Sequence, residues 1–310
     1  MQSYALEYHK EELLHVLQED EEEDHYSITI NALTLLESSP WMGDILLTSP
    51  RNTLPLFDSA LVAAQRTLLK VAETTDLTIK RNIHARVTRL PVCPELTRDV
   101  LPKTSDVGNF LSVTGTVIRA TTIKLLDCEK EFVCNQCRHA FTVEADFEQY
   151  YSVCRPSKCP NEDCNNVSNF TVLAEQGSVP SHCRNYQELK MQEQVQRLGV
   201  GTIPRSMWVV LEDDLVDSCK PGDDVTISGV VLRRWKPVTV DSRCHIELVL
   251  KANQVQVTNE QRSNSLLTKD MVRESVETSL VPSLVFPSSV TYILYNKYHR
   301  KLSAFLYCVK

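Results

Sequence analysis

At 310 residues the chain is long enough for two or three small folding units, each with its own core. Its 42% hydrophobic and 24% charged residues are ordinary for globular protein and argue against general disorder and membrane residence. The net charge is −7, but residues 1–30 hold nine acids against Lys10 and so carry −8, leaving +1 for the other 280.

The overall sign therefore decides nothing about partners, and a phosphate-binding face has to be local. No basic start followed by an apolar run opens the chain, so a secretory signal is not expected. The eleven cysteines then read as thiols and metal ligands rather than disulfides.

Residues 3–18 put Leu6, Leu13, Leu14 and Leu17 on one helical face, and the acidic run Glu19–Asp24 ends it as solvated surface. Pro55 opens a second predicted helix, in which Phe57, Leu61, Ala64, Leu68 and Val71 repeat at spacings of four and three. Residues 1–80 thus read as a helical subdomain, with Trp41 in its core. From there the pattern changes to strands: Ile83–Leu90 stopping at Pro91, Phe110–Arg119, Met207–Leu211, Val225–Leu232 and Ile246–Leu250. Leu111, Val113 and Val117 share one strand face, with Gly115 where the strand would bend. Pro221-Gly222-Asp223-Asp224 is a predicted turn, and Trp208 is a predicted core residue. Five or so strands over this stretch suggest a small closed barrel with insertions, spanning 81–262. The segment 263–310, broken by Pro282 and Pro287, reads as a disordered tail too interrupted to cross a membrane.

Cys134-Asn135-Gln136-Cys137 is followed, after twenty-one intervening residues, by Cys159-Pro160-Asn161-Glu162-Asp163-Cys164. Two close pairs a short loop apart suit tetrahedral zinc, because each tight turn offers two thiolates. Strand-like stretches Glu131–Val133 and Phe141–Val143 flank the first pair, as in a zinc ribbon over about 128–172. Four thiolates close the coordination sphere, so Zn2+ here would be structural and do no chemistry. Cys154 is the one competitor for a ligand position, and His139 beside the first pair reads as a bystander. A deaminase would need His-x-Glu followed by Pro-Cys-x-x-Cys, which these cysteines do not offer. The single cysteines 93, 128, 183, 219, 244 and 308 read as small buried residues.

Arg233, Arg234, Trp235 and Lys236 end one predicted strand and Arg243 starts the return, giving a hairpin whose tip carries four bases and an indole. Arginine and lysine neutralise phosphates and an aromatic stacks on a base. The plainer reading of Trp235 is a ring packed into the barrel. Arg119 and Lys124 can continue a basic track with Arg184 and Lys190, although sequence alone does not put them on one face.

The stretch Gln192–Val231 resembles the amino-terminal portion of minichromosome maintenance (MCM) helicases. It carries Gln192-Glu193, Pro204-Arg205-Ser206, Leu215-Val216-Asp217 and Pro221-Gly222-Asp223 in that family's order, and Val113–Arg119 is similar to its entry into the zinc ribbon. The resemblance covers roughly residues 4–262 and lies nearest the family's ninth paralogue. It implies an α+β architecture: a helical N-terminal subdomain followed by an OB-fold β-barrel with an inserted four-cysteine zinc ribbon. It also implies that Cys134, Cys137, Cys159 and Cys164 are ligands, that Arg119 faces single-stranded DNA, and that Arg233, Arg234 and Lys236 lie on a hairpin. The second cysteine pair has four residues between its ligands where many relatives have two, and Arg138 stands where a glycine often follows the first pair.

The function so implied is a DNA-binding and subunit-assembly module of an MCM-type helicase in homologous-recombination DNA repair. Its expected partners are single-stranded or forked DNA and the eighth paralogue, in a ring-type oligomer in the nucleus. No Gly-x-x-x-x-Gly-Lys-Ser/Thr occurs, and none of the eight glycines is followed by lysine. The chain is therefore expected to stop before the ATPase half, and neither bound ATP nor enzymatic activity is expected of it. The rival expectation is a scaffold that docks a partner MCM subunit with little DNA affinity of its own.

Overall fold

The structure, a computed structural model, describes residues 1–258 apart from 20–24, 72–76, 165, 168, 174–182, 200 and 237–243. The acidic run after Glu19, the hairpin tip with Arg243, and the expected tail therefore lie outside the described residues.

The first part holds helices α1 (Gln2–Tyr8), α2 (Lys10–Gln18), α3 (Ala32–Ser38), α4 (Pro40–Thr48) and α5 (Pro50–Val71), with strands β1 (Tyr26–Asn31) and β2 (Ile83–Thr88). The single helix expected over 3–18 is broken at His9, whose ψ of 25° leaves the helical region. Leu13 and Leu17 are buried, while Leu6 and Leu14 pack more loosely against the same core. β1 buries Tyr26, Ile28 and Ile30 and pairs in parallel with β2, from Tyr26 opposite Ile83 to Asn31 opposite Thr88. The first part is therefore not purely helical, and it reaches past residue 80.

Helix α5 starts at Pro50, not at Pro55. Either proline suits a first turn, and the earlier one takes it; Pro55 then sits one turn in, where its ring forfeits one backbone bond. The predicted stripe holds, with Phe57, Leu61, Ala64 and Leu68 buried. Trp41 is not a core residue: it is 71% exposed. Met42 and Leu46, one turn apart, form the buried face of α4 and leave Trp41 outside it.

The second part holds β3 (Thr97–Arg98), β4 (Phe110–Ala120), β5 (Lys124–Asp127), β6 (Glu129–Cys134), β7 (Ala140–Glu144), β8 (Phe170–Val172), β9 (Cys183–Gln192), β10 (Ser206–Glu212), β11 (Asp224–Trp235) and β12 (Ile246–Val257). Five long strands run in the order β4-β11-β12-β10-β9, and β9 pairs back onto β4. Numbered along the chain, they close as 1-2-3-5-4-1 in the sense of an OB barrel, with β10 and β12 the parallel neighbours among them. The interior is filled by Leu111, Val113, Val117, Leu189, Met191, Val209, Leu211, Val225, Ile227, Val231 and Leu250.

Gly115 lies where β4 meets β9. A Cβ there would stand 2.6 Å from Met191 Cγ and 2.7 Å from the Gln192 carbonyl oxygen, so only glycine lets the seam close. The expected turn at Pro221 forms with Gly222 at φ +95°, and Asp223 accepts the Lys220 amide at 2.8 Å. Among the described residues, no helix is long and apolar enough to cross a membrane.

Candidate metal centre and nucleic-acid face

Strand β6 runs between β7 and β8 in a separate three-stranded sheet and delivers Cys134 at its end. A turn with Arg138 at φ +57° brings Cys137 back beside it, the Arg138 amide donating to the Cys134 carbonyl at 2.8 Å. A second turn carries Cys159 and Cys164, held by the Cys164 amide on Asn161 and the Cys159 amide on Asn166. The four ligand atoms lie within 4.8 Å of one another. Cys134 and Cys164 sulfurs are 3.7 Å apart and those of Cys137 and Cys159 3.6 Å. Four sulfurs about 2.3 Å from one centre would stand roughly 3.8 Å apart at tetrahedral angles, so the spacing fits a thiolate-bound metal.

The Asn166 side-chain amide donates to Cys134 Sγ at 3.1 Å, and this bond leads in drawing the thiol down to about 6. Burial pushes Cys159 up to about 12, a penalty that a cation at the centre would remove. Among the described residues, the buried apolar side chains beneath the cysteines are Phe132 and Phe170. That core is small for folding the sheet alone, and a metal held by the four cysteines would supply what it lacks. Cys154 stands outside the cluster, its thiol facing Gln149 Oε1 at 3.6 Å, and His139 stacks on Phe141 without joining the thiols.

The basic residues divide into two sets. Alternation along β4 would turn Arg119 inward with Val113 and Val117. A bulge intervenes: Val117 pairs with Met191 and Arg119 with Lys190, so Ile118 is the extra residue. The bulge moves Arg119 to the outer face, directly opposite Lys190, which in turn is opposite Trp208 on β10. The Lys190 ammonium lies 5.7 Å from the Trp208 ring centre. Among the described residues neither Arg119 nor Lys190 has a carboxylate within ion-pair reach. Like charges facing each other across a strand pair are destabilising, and an anion from outside would relieve that repulsion. Trp208 is half-buried beside the first part's core rather than inside the barrel. Lys124 is exposed on β5, opposite Tyr186.

Arg234 belongs to the other set and corrects an expectation: it is 1% exposed, not at an exposed tip. It bonds Glu188, Glu247 at 2.7 Å and the Tyr186 hydroxyl at 3.2 Å, and its guanidinium lies 4.4 Å from the Tyr150 ring centre. Burial works against its charge, but the Glu188 carboxylate outweighs that and raises its pKa. β11 continues its outer face into this residue, which ties the end of the insertion onto the barrel. Arg184 also leaves the expected track, since its guanidinium stands 3.7 Å from Glu212 and 3.8 Å from Asp213. It is six residues from Lys190 on β9, roughly 20 Å along an extended strand. Arg233 and Lys236 are exposed and Trp235 is half-buried opposite Ile246, while Arg243 lies outside the described residues.

Sequence reasoning did not single out Glu193 as a structural group. It is 3% exposed and accepts from the Leu101 amide, the Arg205 amide and the Arg205 guanidinium. It therefore clasps the segment before β10 to the strand region before β4.

Two family descriptions match this chain, "MCM9, N-terminal domain" over residues 1–91 and "MCM OB domain" over 97–234. The chain belongs to the minichromosome maintenance family. It is 30% identical to a probable DNA helicase MCM9 of Arabidopsis thaliana over 88% of its length, and 32% identical to one of Oryza sativa subsp. indica over 89%. It spans 43% of the length of each of those relatives. An archaeal minichromosome maintenance protein MCM, from Saccharolobus solfataricus, is 23% identical over 77% of the chain. The MCM chain thus corresponds to the amino-terminal part of MCM9-type helicases, with the OB domain and the cysteine cluster inside the matched span.

Proposed function

We propose that this chain is the DNA-binding and subunit-assembly module of an MCM9-type helicase, gripping single-stranded or forked DNA on the outer face of its barrel. The observation that carries the reading is the cross-strand row Arg119–Lys190–Trp208: two cations with no ion-pair partner among the described residues, beside an indole. Phosphates neutralise the cations and a base stacks on the indole, giving salt-sensitive binding without sequence preference. Lys124, Arg233, Trp235, Lys236 and Arg243 extend the proposed contact. The metal is Zn2+, bound as a structural ion by Cys134, Cys137, Cys159 and Cys164, and the donor set and sulfur spacing support it.

The family relationship supports assembly into a ring, with the eighth paralogue as partner, in the nucleus and in homologous-recombination repair. ATP hydrolysis is not assigned to these residues, which contain no Walker A sequence. Photocrosslinking to bromodeoxyuridine-containing single strands tests the reading. Crosslinked peptides from β4, β9 and β10 are expected, and crosslinks confined to other surfaces would contradict it.

A second reading has its own support. Arg184, Arg234, Arg86 and Lys251 are all occupied by carboxylates of the chain itself, which removes them from any phosphate-binding face. A scaffold that docks a partner subunit needs no such face. Co-elution with the eighth paralogue, together with no crosslink to DNA, would select it.

A further inference from the structure

We propose a second metal site, distinct from the four cysteines, where His25, His84 and Asp213 join the first part of the chain to the barrel. His25 immediately precedes β1, His84 is the second residue of β2, and Asp213 follows β10. The three offer ligand atoms within 4.8 Å of one another. His25 Nδ1 lies 3.0 Å from His84 Nε2, and the Asp213 oxygens lie 3.6 Å from His25 Nε2 and 3.8 Å from His84 Nε2. Ligands about 2.0–2.2 Å from a common centre stand roughly 3–3.5 Å apart. Because His25 meets His84 through Nδ1 and Asp213 through Nε2, one of its nitrogens must turn to the ion while the group, already within 4.8 Å, draws in.

Two features favour an ion over a plain hydrogen-bonded pair of imidazoles. Asp213 Oδ1 is buried and has no hydrogen-bond partner; a contact of 3.6 Å is too long for one. The Arg184 guanidinium, 3.8 Å away, meets only the other oxygen of Asp213, so the buried Oδ1 still lacks a donor, which is costly. The outer ring nitrogen of His84 faces Asp58 Oδ2 at 3.5 Å, and the other oxygen of Asp58 is fixed by the Ala85 amide at 2.7 Å. A carboxylate behind the far nitrogen is the usual support for a metal-binding histidine, because it sets the tautomer and aims the lone pair. Two histidines and one carboxylate suit a divalent transition metal of the zinc or iron class, with one or more positions open. Such an ion would lock β1 and β2 onto the barrel.

Cobalt(II) titration of the metal-free full chain, followed by visible absorption and elemental analysis, tests this. The expected first equivalent gives intense thiolate-to-cobalt bands, and a second gives only weak visible bands. His84→Gln should lose the second equivalent and keep the first, whereas Cys137→Ser should disturb only the first. Far-ultraviolet circular dichroism and a cooperative thermal transition in His84→Gln report a folded chain; where they are lost, Asp213→Asn serves in its place. A titration that ends at one equivalent with a thiolate signature overturns the proposal and leaves the cysteine reading standing. A second equivalent that persists in the histidine and aspartate variants overturns it too. Absence of the thiolate bands alongside a histidine-dependent equivalent would instead overturn the cysteine reading alone.

Discussion

Glu193 holds its place against the cost of burial. Burial alone would raise its pKa, but the Arg205 and Leu101 amides and the Arg205 guanidinium prevail and hold it below the usual 4.5. The folded chain therefore binds that proton less readily than the unfolded one. The stability it contributes is complete above about pH 4.5 and is lost as pH falls through its lowered folded value. Glu193→Gln should destabilise the protein by about 1–3 kcal/mol at pH 7 and make its loss of stability toward pH 3 shallower, as urea unfolding at several pH values would show. Arg234 and Arg119 separate in the same assay. Arg234→Ala leaves Glu188 and Glu247 facing each other and should cost about 3–5 kcal/mol, while exposed Arg119→Ala should stay within about 0.5 kcal/mol. Sequence marked all of these arginines as basic. It could not tell a buried arginine from an exposed one, because Arg234 gains its carboxylates from β9 and β12 and Arg119 gains its exposure from a bulge at Ile118.

At the scale of elements, the strands with strong apolar alternation were legible: β4, β10 and β11 were all expected within a few residues. β1 and β9 were not. YSITIN alternates Tyr26, Ile28 and Ile30 but is only six residues long, whereas β9 buries Gln187 beside Tyr186, which breaks the apolar alternation. β9 matters most, since it closes the barrel. Gly115→Ala tests that closure: with the Gln192 carbonyl 2.7 Å from the new methyl, the variant should lose about 1–3 kcal/mol, measured by thermal unfolding. The gathering of the four cysteines, by contrast, was readable from their spacing alone, because two close pairs are a local pattern. The buried core beneath them is separate from that of the barrel. Chelation should therefore open residues 129–172 to protease while leaving the barrel protected, and limited proteolysis with mass mapping would show it.

For the whole molecule, charge is the informative quantity. With the acidic first thirty residues set aside, the chain is close to neutral, and buried Arg86 and Arg234 and half-buried Arg98 and Lys251 are spent on internal carboxylates. The strip proposed for DNA is narrow, and the sequence indicated its residues but not its surface, since β4, β9 and β10 meet only on closure. A strip of this size implies modest affinity for the isolated chain and a shallow salt slope, with tighter gripping reserved for an assembly that lines up several copies.

Fluorescence anisotropy of the zinc-loaded chain with labelled single-stranded DNA, at low and at moderate salt, tests the central claim most directly. Saturable binding that weakens with salt is expected, as is a clear loss of both affinity and salt slope in the Arg119→Ala, Lys190→Ala double variant. No binding at tens of micromolar, on the order of non-specific affinities, or binding that the double variant leaves unchanged, would contradict the assignment of this face to DNA.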